Sequence, residues 1–377
     1  NRTASPNAPM TAPLASVPPQ PPQPPMASMI RLAAQAAARC GWRVEVLDPF
    51  TGHAARIHDG ARSVLIGAGA SYSYPINPVP AATLARDKAH AAQILSTAGQ
   101  RVPEGRLFFL HPAYRDLRPA GRELSDAASY AATLGDPVFV KPNTGARGDG
   151  AELITDAEAL PHHLNTIAAR YFAALIQRPV PGAEYRLFVA DGRVRFSHRR
   201  AGAVLLGDGV QTVRALLEAA NAALAAKRLT PVATAPDQNP VLAAGLRAAG
   251  LGPGDILAPG QALPYMARGN LSAGGRPEAF STQHPPAVHI AAAAIADALD
   301  LRVAGVDVLT TAPLADTAAW TVLEVNANPG LTAPEAVGRP NLAITIMADI
   351  LTASFAQADA AQAYRTQVDR TKGSPRA

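Results

Sequence analysis

A single cysteine, Cys40, stands in 377 residues, so no internal disulfide can form. No Cys/His cluster has zinc-site spacing either. His162–His163 reads as the solvated side of a polar helix. Aromatic residues make up only 5 % of the chain, so Ala, Leu and Val must supply most of the core. No run of about 18 apolar residues is read, and a membrane span is not expected. The stretch Met26–Cys40 is broken by Arg31 and Arg39 and lacks the apolar centre of a signal peptide. These absences fit a reducing compartment, read as cytoplasmic.

Charge is sparse as well. Charged residues are 17 % of the chain, the net charge is +5, and the basic residues are mostly scattered arginines. A nucleic-acid binder concentrates Lys and Arg on one stripe or helix. An anionic small substrate such as a nucleotide fits this distribution better, and nucleic acid is not expected as a partner.

The 48 % hydrophobic content is enough for two or three subdomains with their own cores. Residues 1–26 contain P-P-Q-P-P-Q-P-P and read as a disordered, Pro-rich leader. Residues 27–82 read as a small α/β unit, with a helix over Met29–Cys40 and strands over Arg43–Leu47, Ala54–His58 and Ser63–Ile66. Its Gly67-Ala68-Gly69 lacks the third glycine and the following helix of a dinucleotide loop. Residues 83–345 form the main body, divided near 177. It starts with a helix over Leu84–Gly99 and includes strands over Val138–Lys141 and Ala173–Gln177 and a hairpin through Asp191-Gly192. Residues 228–262, rich in Pro, Gly and Ala, read as a long excursion or lid. A last apolar helix covers about Leu342–Phe355 and runs into a 346–377 segment of C-terminal helix and tail, which reads as loose from Thr366.

Three places carry chemistry. In W-T-V-L-E-V-N-A-N-P-G (Trp320–Gly330), Glu324 and Asn326 are two apart on a strand and so share one face. The preceding strand Gly305–Thr310 carries Asp307. Two carboxylates and an amide oxygen from adjacent strands suit a hard cation of the Mg²⁺ type. In V-F-V-K-P-N-T-G-A-R-G-D-G (Val138–Gly150), a strand ends in Lys141 and a loop carries Gly145, Gly148 and Gly150. Glycines let backbone N–H groups approach a phosphate closely, and the lysine adds a point charge. The loop is not a P-loop, because G-x-x-x-x-G-K-[ST] is absent, and no kinase motif follows. In Arg268–Gly275 (R-G-N-L-S-A-G-G), an Arg and an Asn stand where they can stabilise an oxyanion or a transferring phosphoryl group.

The order of these segments resembles the ATP-grasp ligase superfamily from about Asn77 to Pro334. G-D-G-V-Q-T-V-R-A-L-L within Val204–Leu217, N-L-S-A-G-G and L-E-V-N-A-N-P-G look most like the ATP-grasp module of cyanophycin synthetase. The R-G-N-L-x-A-G-G-R run also resembles bacterial glutathione synthetases. The resemblance implies an α/β (α+β) fold in which two α+β subdomains, about 83–177 and 178–345, grip ATP behind a small pre-ATP-grasp unit.

It also implies roles. Lys88 and Lys141 match the two nucleotide-binding lysines, and Gly145, Gly148 and Gly150 match the flap over the phosphates. Gln177 falls at the adenine hinge, where relatives usually have Glu, and Glu184 falls near the ribose. Arg200, Arg268 and Asn270 match the polar cluster over an acyl phosphate. Asp307, Glu324 and Asn326 match the ligands of Mg²⁺, with Mn²⁺ as an alternative.

The activity so implied is ATP-dependent joining of a carboxylate to an amine, on amino acids or a short peptide, with release of ADP and phosphate. Without a Mur-ligase-like or glutamate–cysteine-ligase half, the chain is expected to act as a stand-alone ligase. A homo-oligomer is compatible with this. RimK-like addition of amino acids to a protein and a non-catalytic nucleotide binder are the alternatives.

Overall fold

The computed structural model describes residues 26–69, 72–145, 148–226, 231–266, 275 and 277–372, with backbone alone at 240 and 361–372. The leader, Arg268 and Asn270 lie outside the described residues. The chain starts with helix α1 (Ser28–Cys40), which is stopped by Gly41 in the left-handed conformation (φ 72°). Strands β1 (Arg43–Val46), β2 (Ala54–Asp59) and β3 (Arg62–Gly67) then form an antiparallel meander in that order.

The apolar faces of α1, β2 and β3 pack against the C-terminal helix α10 (Pro340–Lys372) through Ile30, Leu32, Ile57 and Ile66 with Ile346, Met347, Ile350 and Phe355. Phe188 and Phe196 of the large sheet join the same cluster. The small N-terminal unit therefore shares one core with the main body.

Helix α10 is longer than the sequence suggests. It runs unbroken to Lys372 because Ala, Gln, Arg and Lys dominate beyond Phe355 and no Gly or Pro intervenes before Gly373. Its first 21 residues are also long and apolar enough to cross a membrane, with mean hydropathy 1.2, contrary to the reading that no such stretch exists. Side chains here break the run of apolar letters while the average stays high. Ala343, Ile346, Met347, Ile350, Leu351 and Phe355 are buried in the N-terminal core.

Two antiparallel sheets form the main body. The four-stranded sheet has the order β4-β7-β5-β6, from β4 (Gly105–Phe109), β5 (Val138–Pro142), β6 (Glu152–Ile154) and β7 (Ala173–Gln177). Helices α4 (Leu124–Leu134) and α5 (Ala159–Ala168) cover one face. The five-stranded sheet has the order β12-β9-β8-β13-β14, from β8 (Ala183–Ala190), β9 (Arg193–Arg200), β12 (Pro277–Ser281), β13 (Val303–Thr310) and β14 (Thr321–Asn326). Helices α2 (Val79–Arg86), α3 (Lys88–Thr97) and α8 (Pro286–Asp297) cover its apolar face.

The single helix read over Leu84–Gly99 is two helices. Asp87 turns extended (φ −85°, ψ 102°), and its side chain accepts from the His90 amide at 2.9 Å. Asp is a strong N-cap, so the break makes Lys88 the first residue of α3.

The stretch read as an excursion or lid also differs. With β10 (Val204–Leu206), α6 (Val213–Ala226), α7 (Pro240–Ala249) and β11 (Ala262–Pro264), its described part forms a compact insert with its own core of Leu205, Leu217, Leu242, Leu246, Leu257 and Leu263. The leucines spaced through its Ala-rich background supply enough apolar area for that.

Asn77 fastens the entry to α2 onto the large sheet. Its amide donates to the carbonyls of Val303 (2.8 Å) and Ala327 (2.9 Å) and accepts from the N–H groups of Arg302 (3.0 Å) and Val303 (2.9 Å). Asn77→Ala removes all four bonds at a buried position and is expected to cost about 2–4 kcal/mol in urea unfolding. A loss below about 1 kcal/mol would show that water replaces the amide.

Candidate active site

Antiparallel register fixes the centre of the site. Glu324 lies opposite Asp307, Asp307 opposite Arg186, and Arg186 opposite His198. One row of polar side chains therefore crosses β14, β13, β8 and β9, because directly paired residues project on the same side of a sheet. Glu184 and Arg200 lie on that face two residues along their strands, and so does Asn326.

Asp307 is 0 % exposed. Its two oxygens accept from Nε (2.6 Å) and an Nη (2.5 Å) of Arg186, and the second oxygen also accepts from Arg200 at 3.1 Å. Arg200 continues to Glu184 at 2.8 Å, and Arg186 approaches Glu324 at 3.8 Å. The charges alternate, as they must for a buried cluster to repay its desolvation.

Burial pushes the Asp307 carboxyl up, while Arg186 and Arg200 pull it the other way. The two short contacts to one guanidinium are the geometry of an ionised pair. Burial works against the Arg186 charge, but Asp307, Glu324 and Glu184 outweigh it and raise its pKa. His198 is pushed down to about 4 by burial and then by Arg186 and Arg200, so it is neutral at pH 7.

Two lysines reach this row from different elements. Lys88, opening α3, donates to the Gly145 carbonyl at 2.5 Å and stands 3.9 Å from Glu324. Lys141, at the end of β5 and 8 % exposed, donates to the Leu323 carbonyl of β14 at 3.5 Å. That carbonyl belongs to a bulge, since Asp307 pairs with Glu324 but Val308 pairs with Val322. Asn143 joins the two lysine elements: its side chain accepts from the Ala89 amide (2.9 Å) and its carbonyl from the Lys88 amide (3.2 Å).

Glu324 keeps 29 % of its side chain exposed. Burial opposes its charge, yet Lys88, Lys141 and Arg186 outweigh burial and Asn326 donates to it at 3.1 Å, bringing its pKa down to about 2.

The sequence-predicted residues thus fall into groups. Lys88, Lys141, Gly145, Glu184, Arg200, Asp307, Glu324 and Asn326 are linked by the contacts above. Gly148 (φ 76°) and Gly150 (φ 63°) occupy the left-handed region in the loop after β5. Gln177 ends β7, buried and paired with Gly105.

Two residues escaped the sequence reading. Arg186 lies at the centre of the row, and its position two residues after Glu184 in a strand was the available signal. His163 is not solvated: it touches the Gly150 carbonyl (3.2 Å) and the Glu152 carboxylate (3.0 Å), contacts that only the packing of α5 on β6 creates.

The donor chemistry suits a divalent cation. Glu324 and Asn326 offer oxygens that solvent reaches, and they fit. Asp307 lies next to them, with both oxygens accepting from Arg186 and Arg200 in this arrangement. Among the described residues no group of three His, Cys, Asp or Glu is arranged to hold a metal.

Residues 266–350 match the model of the RimK-like ATP-grasp domain. The glutathione biosynthesis bifunctional protein GshAB of Streptococcus thermophilus is 26 % identical over 261 residues, 65 % of this chain and 32 % of that protein. Cyanophycin synthetase of Geminocystis herdmanii is 28 % identical over 255 residues, 66 % of this chain and 28 % of that protein. These matches span about a third of the length of the curated relatives. The crystal structure of a bifunctional glutathione synthetase from Pasteurella multocida superposes with a TM-score of 0.53 at 20 % identity, over 85 % of this chain and 44 % of that one. At that identity the likeness speaks for the fold. Fold and comparisons together support the ATP-grasp superfamily for this chain.

The depressed pKa of Glu324 has a sign that can be checked. Its charge stabilises the folded state above the ordinary Glu value of 4.5, and that contribution is lost as pH falls toward about 2. Glu324→Gln is therefore expected to be less stable than the parent at pH 7, with the gap narrowing steadily below pH 4.5. Urea unfolding across that range reads the difference. A gap that widens on acidification would contradict the electrostatic assignment.

Proposed function

We propose that the chain is an ATP-dependent carboxylate–amine ligase acting on amino acids or a short peptide. The observation that carries this reading is the convergence of Lys88 and Lys141, from separate elements, on the strand bearing Glu324. In this reading the glycines at 145, 148 and 150 and the two lysines hold the phosphates of ATP. Gln177 and Glu184 bind at its adenine and ribose.

Glu324, Asn326 and Asp307 would hold Mg²⁺ or Mn²⁺. When bound, the metal neutralises charge on the phosphates and polarises the transferring group. Arg186 keeps Asp307 ionised, and His198, being neutral, adds no charge that would repel a cation.

A substrate carboxylate oxygen attacks the terminal phosphorus, the bond to ADP breaks, and an acyl phosphate forms. An amine nitrogen then attacks the acyl carbon, loses a proton and expels phosphate. Arg200, with Arg268 and Asn270, is assigned to the charge on the tetrahedral carbon's oxygen. The match to the RimK-like model favours a second reading in which the carboxylate acceptor is a protein terminus.

ADP release dependent on both a carboxylate and an amine tests the reaction. With hydroxylamine as the amine, a hydroxamate should accumulate, and Glu324→Gln should lower its formation by at least ~10²-fold because the metal supplies several kcal/mol of charge stabilisation. Lys141→Ala should weaken binding of a non-hydrolysable ATP analogue in calorimetry. AMP and pyrophosphate as products would overturn the mechanism.

A further inference from the structure

The loop between β5 and β6 carries contacts that phosphate binding leaves unused. Both its ends fold onto Pro142. A Cβ at Gly145 would lie 3.1 Å from Pro142 Cβ, and one at Gly150 would lie 3.0 Å from Pro142 Cγ. The returning end turns tightly, with the Ala151 amide donating to the Gly148 carbonyl at 3.1 Å.

Side chains from α5 and the turn after it seize that end. The Tyr171 hydroxyl donates to one oxygen of Asp149, and Arg170 donates to the other at 3.0 Å. His163 donates from Nε2 to the Gly150 carbonyl at 3.2 Å, and its Nδ1 faces the Glu152 carboxylate at 3.0 Å. Both partners of His163 are acceptors, so the ring spans the gap between the Gly150 carbonyl and Glu152. Arg170 is largely exposed and Asp149 partly so, and an ion pair open to solvent in this way contributes little. His163 is 13 % exposed and the Tyr171 contact is partly buried, so the weight rests on these two.

We propose that Tyr171 and His163 are positioning residues, which fix Asp149 and the Gly150 carbonyl and thereby set the protein's affinity for the phosphates of its nucleotide. Neither side chain needs to touch the ligand. Gly148 and Gly150 take left-handed conformations and lose much conformational freedom when ordered. A loop whose end is already held meets less of that cost on binding. The inference rests on ATP being the substrate.

Calorimetry of the full chain with Mg²⁺ and a non-hydrolysable ATP analogue tests it. Tyr171→Phe and His163→Ala are each expected to raise Kd by roughly three- to tenfold, about the worth of one hydrogen bond. His163→Gln keeps a donor for the Gly150 carbonyl and should recover most of the loss. The melting temperatures of the unliganded variants should stay within a few degrees of the parent. Asp149→Ala, at a partly exposed position, carries the same expectation and guards against a variant that fails to fold. Unchanged Kd in Tyr171→Phe, His163→Ala and Asp149→Ala, with Lys141→Ala weakened, would overturn the positioning role and leave the nucleotide site standing. No binding by the parent chain would overturn the nucleotide reading itself.

Discussion

The bidentate pair between Arg186 and Asp307 organises the site. A wholly buried carboxylate in the middle of a five-stranded sheet is tolerable only with its charge matched at hydrogen-bond distance. Once that pair is set, register carries its consequences outward. Glu324 falls beside Asp307 on the edge strand, and His198 falls beside Arg186 on the other side. Arg200 ties Asp307 to Glu184 one row away. Shifting any of these strands by one residue would exchange this face for the apolar one, where Leu187, Val189, Val306 and Val308 pack under α8 and its neighbours.

A second set of contacts holds the strand ends. Gly305 has no side chain because Pro329 lies against it: an added Cβ would stand 2.7 Å from Pro329 Cβ. The Tyr74 hydroxyl donates to the Pro329 carbonyl at 2.9 Å, and Asn77 grips both Val303 and Ala327. The N-A-N-P-G turn after Asn326 is thus clamped by the segment that links the N-terminal unit to α2. The N-terminal unit, α10 and the exit of β14 pack into one shared core.

Much of this was legible in the letters. Alternation in L-E-V-N and G-V-D-V-L-T put Asp307, Glu324 and Asn326 on strands, and the strand ending in Lys141 with glycines after it marked the second element. Local pattern also gave the three N-terminal strands and the hairpin at Asp191-Gly192. What was missed depends on tertiary packing. Arg186 looked like one scattered arginine until register set it against Asp307. His163 gained its partners only through α5 lying across β6. The break at Asp87 was hidden because apolar periodicity continued through it, although an aspartate before Lys88 is itself a capping signal. Residues 228–262 read as an excursion or lid because their Pro and Gly content masked leucines that meet only in three dimensions.

Transfer of the terminal phosphoryl group to a substrate carboxylate is the central claim, and the fate of the carboxylate oxygen tests it most directly. Amino acids labelled with ¹⁸O in their carboxyl groups would be incubated with the full chain, Mg²⁺, ATP and unlabelled amines, and the released phosphate analysed by mass spectrometry. An acyl-phosphate route carries one labelled oxygen from the carboxylate into each phosphate released during amide formation. Amide formation with unlabelled phosphate, or with label appearing in AMP, would contradict it.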